Sequence, residues 1–237
     1  MATRAARGFG QYDGVARALE RVGDRWALLI VRDLLVGPRR YGDLKAGLPR
    51  IPTNILSDRL KELQESGVVR RVPSVRGGYE LTALGRELEP VVIALARWGW
   101  SVLGEPAEGE AVTHDALAVA LRAAFRADAA ASLPPTEYVL HVGEVSVSAI
   151  VVGGTLDVVP VGPGALQQPR RRSAFEPVPS AVLELQLEPT ALRGVLAGDS
   201  TGATVLAGDA ELLARFGVTF RIEPAGPSSD AAAAAAA

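Results

Sequence analysis

The 237-residue chain is 48% hydrophobic and 22% charged, enough apolar material for one large globular domain or two small ones. It has no cysteine, which excludes disulfides, thiolate metal ligands, cysteine nucleophiles and thiol redox sensing. With His114 and His141 as its two imidazoles, no protein-only zinc site, other metal site or cofactor is expected. The net charge of −2 hides an asymmetry: residues 1–104 hold 17 Lys+Arg against 11 Asp+Glu, the remainder 8 against 16. A basic half joined to an acidic half suggests that one part meets a polyanion.

Val15, Leu19 and Val22 recur at helical spacing and predict a first helix that Gly23 ends. Asp24 can cap the next, Arg25 to Val36, which is apolar on nearly every side and so is expected to be central. Gly37-Pro38 stops it, and a short helix over Tyr41 to Leu48 comes next, with Tyr41, Leu44 and Leu48 inward. Thr53 is the expected N-cap of a helix running to about Ser66. Leu56, Leu60 and Leu63 share its core face; Asn54, Ser57, Asp58 and Lys61 share the opposite one, flanked by Arg50 and Arg59. A hairpin pairs residues 68–72 with 79–81 across a tip holding Arg76-Gly77-Gly78. Thr82 then caps a long helix to about Leu103, kinked at Pro90, with an apolar stripe of Leu84, Leu88, Val92, Leu95 and Val102 and with Trp98 and Trp100 near its end.

A polar-faced helix suits the major groove, where side chains read base edges. An arginine-tipped hairpin suits the neighbouring phosphates or minor groove. The bland alternative, a helical bundle with a solvated polar face, explains each feature singly but not their order along the chain.

Three stretches carry a family resemblance: VARALERVGDRWALLIVRDLLVGPRRYGDLKAGLP, IPTNILSDRLKELQESGVVRR and YELTALGRELEPVVIALARWG. Residues 15–100 resemble the HxlR-type regulators, relatives of the MarR group. The resemblance implies a winged helix-turn-helix, mainly α, binding double-stranded operator DNA as a homodimer. It implies that Thr53, Asn54, Ser57, Arg59 and Lys61 lie at the major groove, with Arg50 beside them and Arg76 on the wing. Leu88, Val92, Leu95 and Trp98 are the expected dimer contacts. Many members carry a cysteine just before the first helix, where this chain has Tyr12-Asp13-Gly14, so redox sensing there does not carry over.

Residues 105–110 read as a turn-rich acidic linker between a first domain, 1–104, and an α+β second domain, 111–224. Thr113 caps a helix through about Asp128, and apolar β-branched segments succeed it at 138–142, 145–152 and 156–161, as in an antiparallel meander. A proline- and arginine-rich loop, 162–179, includes Arg170-Arg171-Arg172; the seven-alanine end of 225–237 is set aside as a tail. A fourth strand is expected at 181–187, a helix from Pro189 to Leu196, a short strand at 203–206, a helix from Asp209 to Phe216 and a last strand at 218–222. Leu185 to Phe216 resembles the sterol-carrier-protein-like domains, which implies helices over a small sheet around an apolar tunnel. Phe125, Tyr138, Val147, Ile150 and Phe216 are the candidate pocket residues for a small apolar ligand.

Gly198-Asp199-Ser200-Thr201-Gly202 fits the G-x-S-x-G pattern, but a nucleophile elbow needs a strand before it and a helix after, the reverse of the order here. Both histidines also precede the serine, so no catalytic residue is assigned and no enzyme is expected. A ligand carrier whose winged helix serves only protein contacts is the main alternative to a regulator. No apolar run approaches the roughly 18–20 residues of a membrane span, and the basic start of the chain has no apolar stretch behind it. The expectation is a soluble, cytoplasmic, nucleoid-associated bacterial protein.

Overall fold

The computed structural model describes residues 8–72, 77–162 and 179–223. The chain forms two compact units, Met1–Val92 and Ile93–Ala237. The division falls inside a helix rather than in the acidic segment 105–110, because the second half of that helix is bonded into the second unit: Arg97 donates from Nε to the Ala123 carbonyl at 2.8 Å.

In the first unit, helices α1 (Gly14–Val22), α2 (Ala27–Val36), α3 (Tyr41–Gly47) and α4 (Thr53–Glu65) precede a hairpin of β2 (Val69–Val72) and β3 (Gly78–Leu81). A two-residue strand, β1 (Arg39–Arg40), was not expected from the sequence; it pairs with β3, giving a sheet of order β1-β3-β2. The core is built on α2, whose Ile30, Val31 and Leu34 are buried together with Leu44, Leu48, Leu56, Leu60 and Leu63. Two of the three apolar positions expected to seat α1 in this core are exposed instead, Val15 and Leu19; Ala16 and Val22 are the buried pair. Asp24 caps only a turn, accepting from the Trp26 N–H at 2.9 Å, and α2 starts two residues later than expected.

The long helix after the hairpin is two helices, α5 (Ala83–Arg86) and α6 (Glu89–Val102). Pro90 breaks the pattern rather than kinking it: proline offers no N–H to the Arg86 carbonyl, but in the first turn of a new helix that N–H is not needed. Thr82 caps α5 as expected, accepting from the Gly85 N–H at 3.1 Å. Gly85 is required by packing, since a Cβ there would lie 2.1 Å from the Val68 carbonyl oxygen.

The second unit holds α7 (His114–Ala124), α8 (Ala127–Ala130), strands β4 (Thr136–Val142), β5 (Val145–Val152), β6 (Thr155–Val161) and β7 (Ala181–Leu187), then α9 (Leu192–Ala197), β8 (Ala203–Ala207) and α10 (Ala210–Thr219). The five strands form one sheet of order β6-β5-β4-β7-β8. The expected antiparallel meander is present in β4-β5-β6, but β4 pairs with β7 in parallel, in register from Thr136↔Ala181 to Val142↔Leu187. Tyr138, Leu140, Val147, Ala149, Leu183 and Leu185 fill one face of the sheet, which the helices cover; α7 packs on β5 and β6, and α10 on β7.

The expected helix through Asp128 ends at Ala124. Phe125 is extended and turns its ring toward Phe220, with centroids 5.9 Å apart. No strand forms at 218–222, because α10 continues to Thr219 and the next backbone groups are satisfied elsewhere: Arg221 N–H donates to Ala124 O and Ile222 N–H to Leu196 O, both at 2.7 Å. The opposite face of the sheet mixes polar side chains with apolar ones such as Val139, Ile150 and Val182. There His141 Nδ1 lies 2.7 Å from Ser146 Oγ and its Nε2 2.7 Å from Glu184 Oε1, while Ser148 donates to Glu137.

Candidate nucleic-acid interface

The second helix of the pair, α4, sits on the core through Leu56, Leu60 and Leu63, each nearly inaccessible to solvent. A helical period of 3.6 then obliges Asn54, Ser57, Asp58 and Lys61 to point away, and all four are exposed. Lys61 keeps 76% of its side chain in solvent, with its Nζ at 4.0 Å from Glu65, a pair too loose and exposed to hold it.

The N-terminus of α4 differs from the sequence expectation. Its cap is Pro52, and Thr53 is the first helical residue rather than the cap. The Thr53 carbonyl accepts from Ser57 Oγ at 3.1 Å and from Tyr41 Oη at 2.8 Å, and the two hydroxyls are 3.2 Å apart. Tyr41, read from the sequence as an inward residue, therefore bridges α3 to the first turn of α4.

Arg59 also departs from expectation. Its Nη1 lies 2.6 Å from Glu62 and 3.5 Å from Asp24, with 23% of the side chain exposed, so the guanidinium is engaged with acids at the edge of the outward face. Arg50 is exposed in the turn before α4.

In the wing, the register Val69↔Leu81, Arg70↔Glu80, Arg71↔Tyr79 matches the expected hairpin. Arg70 is bonded to Glu80 at 2.6 Å, and the Arg71 guanidinium stacks 4.3 Å from the Tyr79 ring centroid. These contacts stiffen both strands up to the tip, where Arg76 lies outside the described residues.

Of the residues expected at a dimer contact, Val92 is buried in its own chain and Leu88 is half-buried, whereas Leu95 and Trp98 are exposed. The exposed large apolar residues on α6 are Val91, Leu95, Trp98 and Val102, spaced i, i+4, i+7 and i+11 along one helical face; Trp98 is 66% and Val102 68% accessible. Phe9, Tyr12, Val15 and Leu19 in the first unit are exposed as well.

The candidate ligand residues of the second unit are split by the sheet. Tyr138 and Val147 lie on the helix-covered face, where Tyr138, Phe216 and Phe220 pack with ring centroids 5.1–5.6 Å apart. Ile150 pairs with Glu137 on the other face, one residue out of phase with Tyr138↔Ala149. Among the described residues no group of three or more His, Asp or Glu is arranged to hold a metal, and no helix is long and apolar enough to cross a membrane.

A helix-turn-helix packed on a two-stranded wing defines the first unit as a winged helix-turn-helix domain. The HxlR-like helix-turn-helix family matches residues 21–106. Over 98 residues the chain is 44% identical to Rv3095, an HTH-type transcriptional regulator of Mycobacterium tuberculosis (strain ATCC 25618 / H37Rv), covering 40% of this chain and 61% of that protein. YvaP, an HTH-type transcriptional regulator of Bacillus subtilis (strain 168), is 40% identical over 86 residues, 35% of this chain and 80% of YvaP. Among solved structures, quinone-bound YodB from B. subtilis matches at 32% identity with a TM-score of 0.33, covering 36% of this chain and 93% of that one. This chain belongs to the HxlR-like helix-turn-helix family. It spans about 61% of the length of the mycobacterial relatives, and residues 107–237 lie outside the family match.

Proposed function

We propose that this protein is a transcriptional regulator that binds double-stranded operator DNA as a homodimer, with α4 reading bases and the wing holding phosphates. The observation that carries the reading is the outward face of α4: Asn54, Ser57 and Lys61 stand exposed on a helix whose other face is locked into the core. Amide, hydroxyl and ammonium groups are the types that hydrogen-bond base edges and phosphates. Thr53 supports this face at its start, and Arg50 and Arg76 are the flanking phosphate contacts. Arg59 acts by positioning, through Glu62 and Asp24, rather than by touching bases.

One recognition helix reads only a few base pairs, and a two-fold dimer doubles the readout. The uncovered stripe of α6, with Leu95 and Trp98 at its centre, is the surface assigned to the partner copy; Val92 and Leu88 support it from beneath.

The acidic second unit is the effector half. Its sheet with helices on one face agrees with the sterol-carrier-like reading, in which Phe125, Tyr138, Val147 and Phe216 would part to admit an apolar ligand. A ligand alters DNA affinity only by preferring one arrangement of the dimer, and a coupling of about 1–3 kcal/mol changes that affinity roughly 5- to 150-fold.

The test is a gel shift with the promoter region of the protein's own gene. A specific complex that weakens steeply as salt rises from about 50 to 200 mM is expected. Failure to prefer that DNA, or any genomic fragment selected from a library, over random sequence would favour a carrier protein instead.

A further inference from the structure

The glycine-rich segment 198–202 lies outside the winged helix-turn-helix unit and is not a nucleophile elbow: α9 precedes it, β8 succeeds it, and Ser200 is exposed on a single 3-10 turn. It forms one wall of a cleft of about 450 Å³ in the second unit, within the size range of small-molecule sites.

The turn that forms this wall is held by its own bonds. Gly198 takes a left-handed conformation to end α9, and the Asp199 N–H returns to the Gly194 carbonyl at 2.9 Å. Asp199 Oδ1 accepts from both the N–H and the hydroxyl of Thr201, at 3.0 and 2.6 Å. Those two bonds keep its carboxyl below the ordinary aspartate range, hence ionised at neutral pH. Gly202 is forced by the fold, since a Cβ there would lie 2.6 Å from that of Ala191.

The polar groups on the lining have little to do within the protein. Arg193 has no ion pair or hydrogen bond among the described residues, Glu105 has none either, and Asp199 Oδ2 is unused while Oδ1 is saturated. The Trp100 ring and Ile222 supply an apolar wall. One cation and two anions bordering an apolar wall suit neither a simple anion nor a simple cation. A molecule with both charges satisfies all three.

We propose that this cleft binds a small amino-acid-like zwitterion with an apolar side group. Its carboxylate pairs with Arg193, its ammonium with Glu105 and the free oxygen of Asp199, and its side group lies against Trp100 and Ile222. This inference does not rest on the DNA-binding reading, because it concerns binding within the second unit alone.

The experiment is isothermal titration of the full chain with L-phenylalanine, with phenylalaninamide, which lacks the carboxylate, and with N-acetylphenylalanine, which lacks the ammonium. L-phenylalanine is expected to bind saturably at one per chain and at least tenfold more tightly than either analogue. Arg193→Gln should erase its advantage over the amide, and Glu105→Gln its advantage over the acetyl compound. Both positions are exposed, so circular dichroism should report an unchanged fold. Absence of saturable binding at 10 mM L-phenylalanine, equal affinity for the three probes, or affinity unaltered in both variants would overturn the proposal.

Discussion

The Tyr41 hydroxyl donates to the Thr53 carbonyl at 2.8 Å, across twelve residues of sequence, and so ties the helix before the turn to the first turn of α4. That carbonyl also takes the Ser57 hydroxyl, so the start of the proposed recognition helix is held from outside and from within. Tyr41→Phe removes the outside bond and keeps the ring. Because the bond is partly solvated, its loss should cost about 1 kcal/mol or less in urea unfolding. Operator affinity should fall by a larger factor than stability does, since the tilt of α4 sets the placement of every base contact. An affinity equal to wild type would show that the bond has no part in orienting the helix.

The outward face gives a second expectation. Asn54→Ala, Ser57→Ala and Lys61→Ala combined should abolish the preference for operator over random DNA, with each base contact worth roughly 1–3 kcal/mol. The thermal midpoint should fall by only a few degrees, because the side chains are exposed and only Ser57 gives up a bond, the partly solvated one to the Thr53 carbonyl. Retained specificity in the triple variant, measured by fluorescence anisotropy at fixed salt, would remove α4 from the interface.

Whether a feature is legible in the sequence depends on the range of the interactions that set it. The buried triad Leu56, Leu60 and Leu63 and the wing register were legible, because 3.6- and 2-residue periods are local. Side-chain partners were less so: the sequence puts Arg59 beside the outward face, and only the fold shows that Asp24 and Glu62 pair with it there. The parallel pairing of β4 with β7 joins segments about forty residues apart, and nothing within either strand encodes it. Hydrophobicity alone groups Ile150 with Tyr138; the antiparallel register, fixed by the turn at Gly143, puts it on the other face. The polar ladder of His141, Ser146 and Glu184 was hidden for the same reason, since it depends on three strands becoming neighbours.

A third expectation concerns the partner copy. Leu95→Glu with Trp98→Glu puts two charges into the uncovered stripe of α6, where both side chains now meet solvent. In the free chain the change should be tolerated, but in a dimer it would bury unpaired carboxylates. Light scattering at micromolar concentration should therefore show wild type as a dimer and the variant as a monomer, with operator affinity falling at least tenfold. Val92→Glu makes the contrast: Val92 is core, so that change should unfold the domain rather than dissociate it. If wild type is itself monomeric at that concentration, the dimer reading fails.

The last expectation concerns Tyr138, which is 1% exposed and whose hydroxyl has Thr219 Oγ1 as a partner at 3.4 Å. Burial raises its phenol above the ordinary value of 10.0, and the hydrogen bonds with Thr219 and Thr136 and the charge of Arg215 offset only part of that. In the unfolded chain the same phenol ionises near pH 10. Below that pH both states hold the proton and the group adds no slope to stability. Above it the unfolded state binds fewer protons than the folded one, so unfolding free energy declines as pH rises through the folded pKa. Urea unfolding between pH 9 and 11.5 should show this alkaline decline in wild type and a shallower one in Tyr138→Phe. The two proteins differ at this side chain alone, so the difference between the two curves isolates the buried phenol. Ultraviolet titration of the folded protein should agree, with a phenol ionising above the ordinary value in wild type and absent from Tyr138→Phe. Parallel stability curves for the two proteins up to pH 11.5 would mean that Tyr138 reaches water in the native state, and that the aromatic core around Phe216 and Phe220 opens without global unfolding.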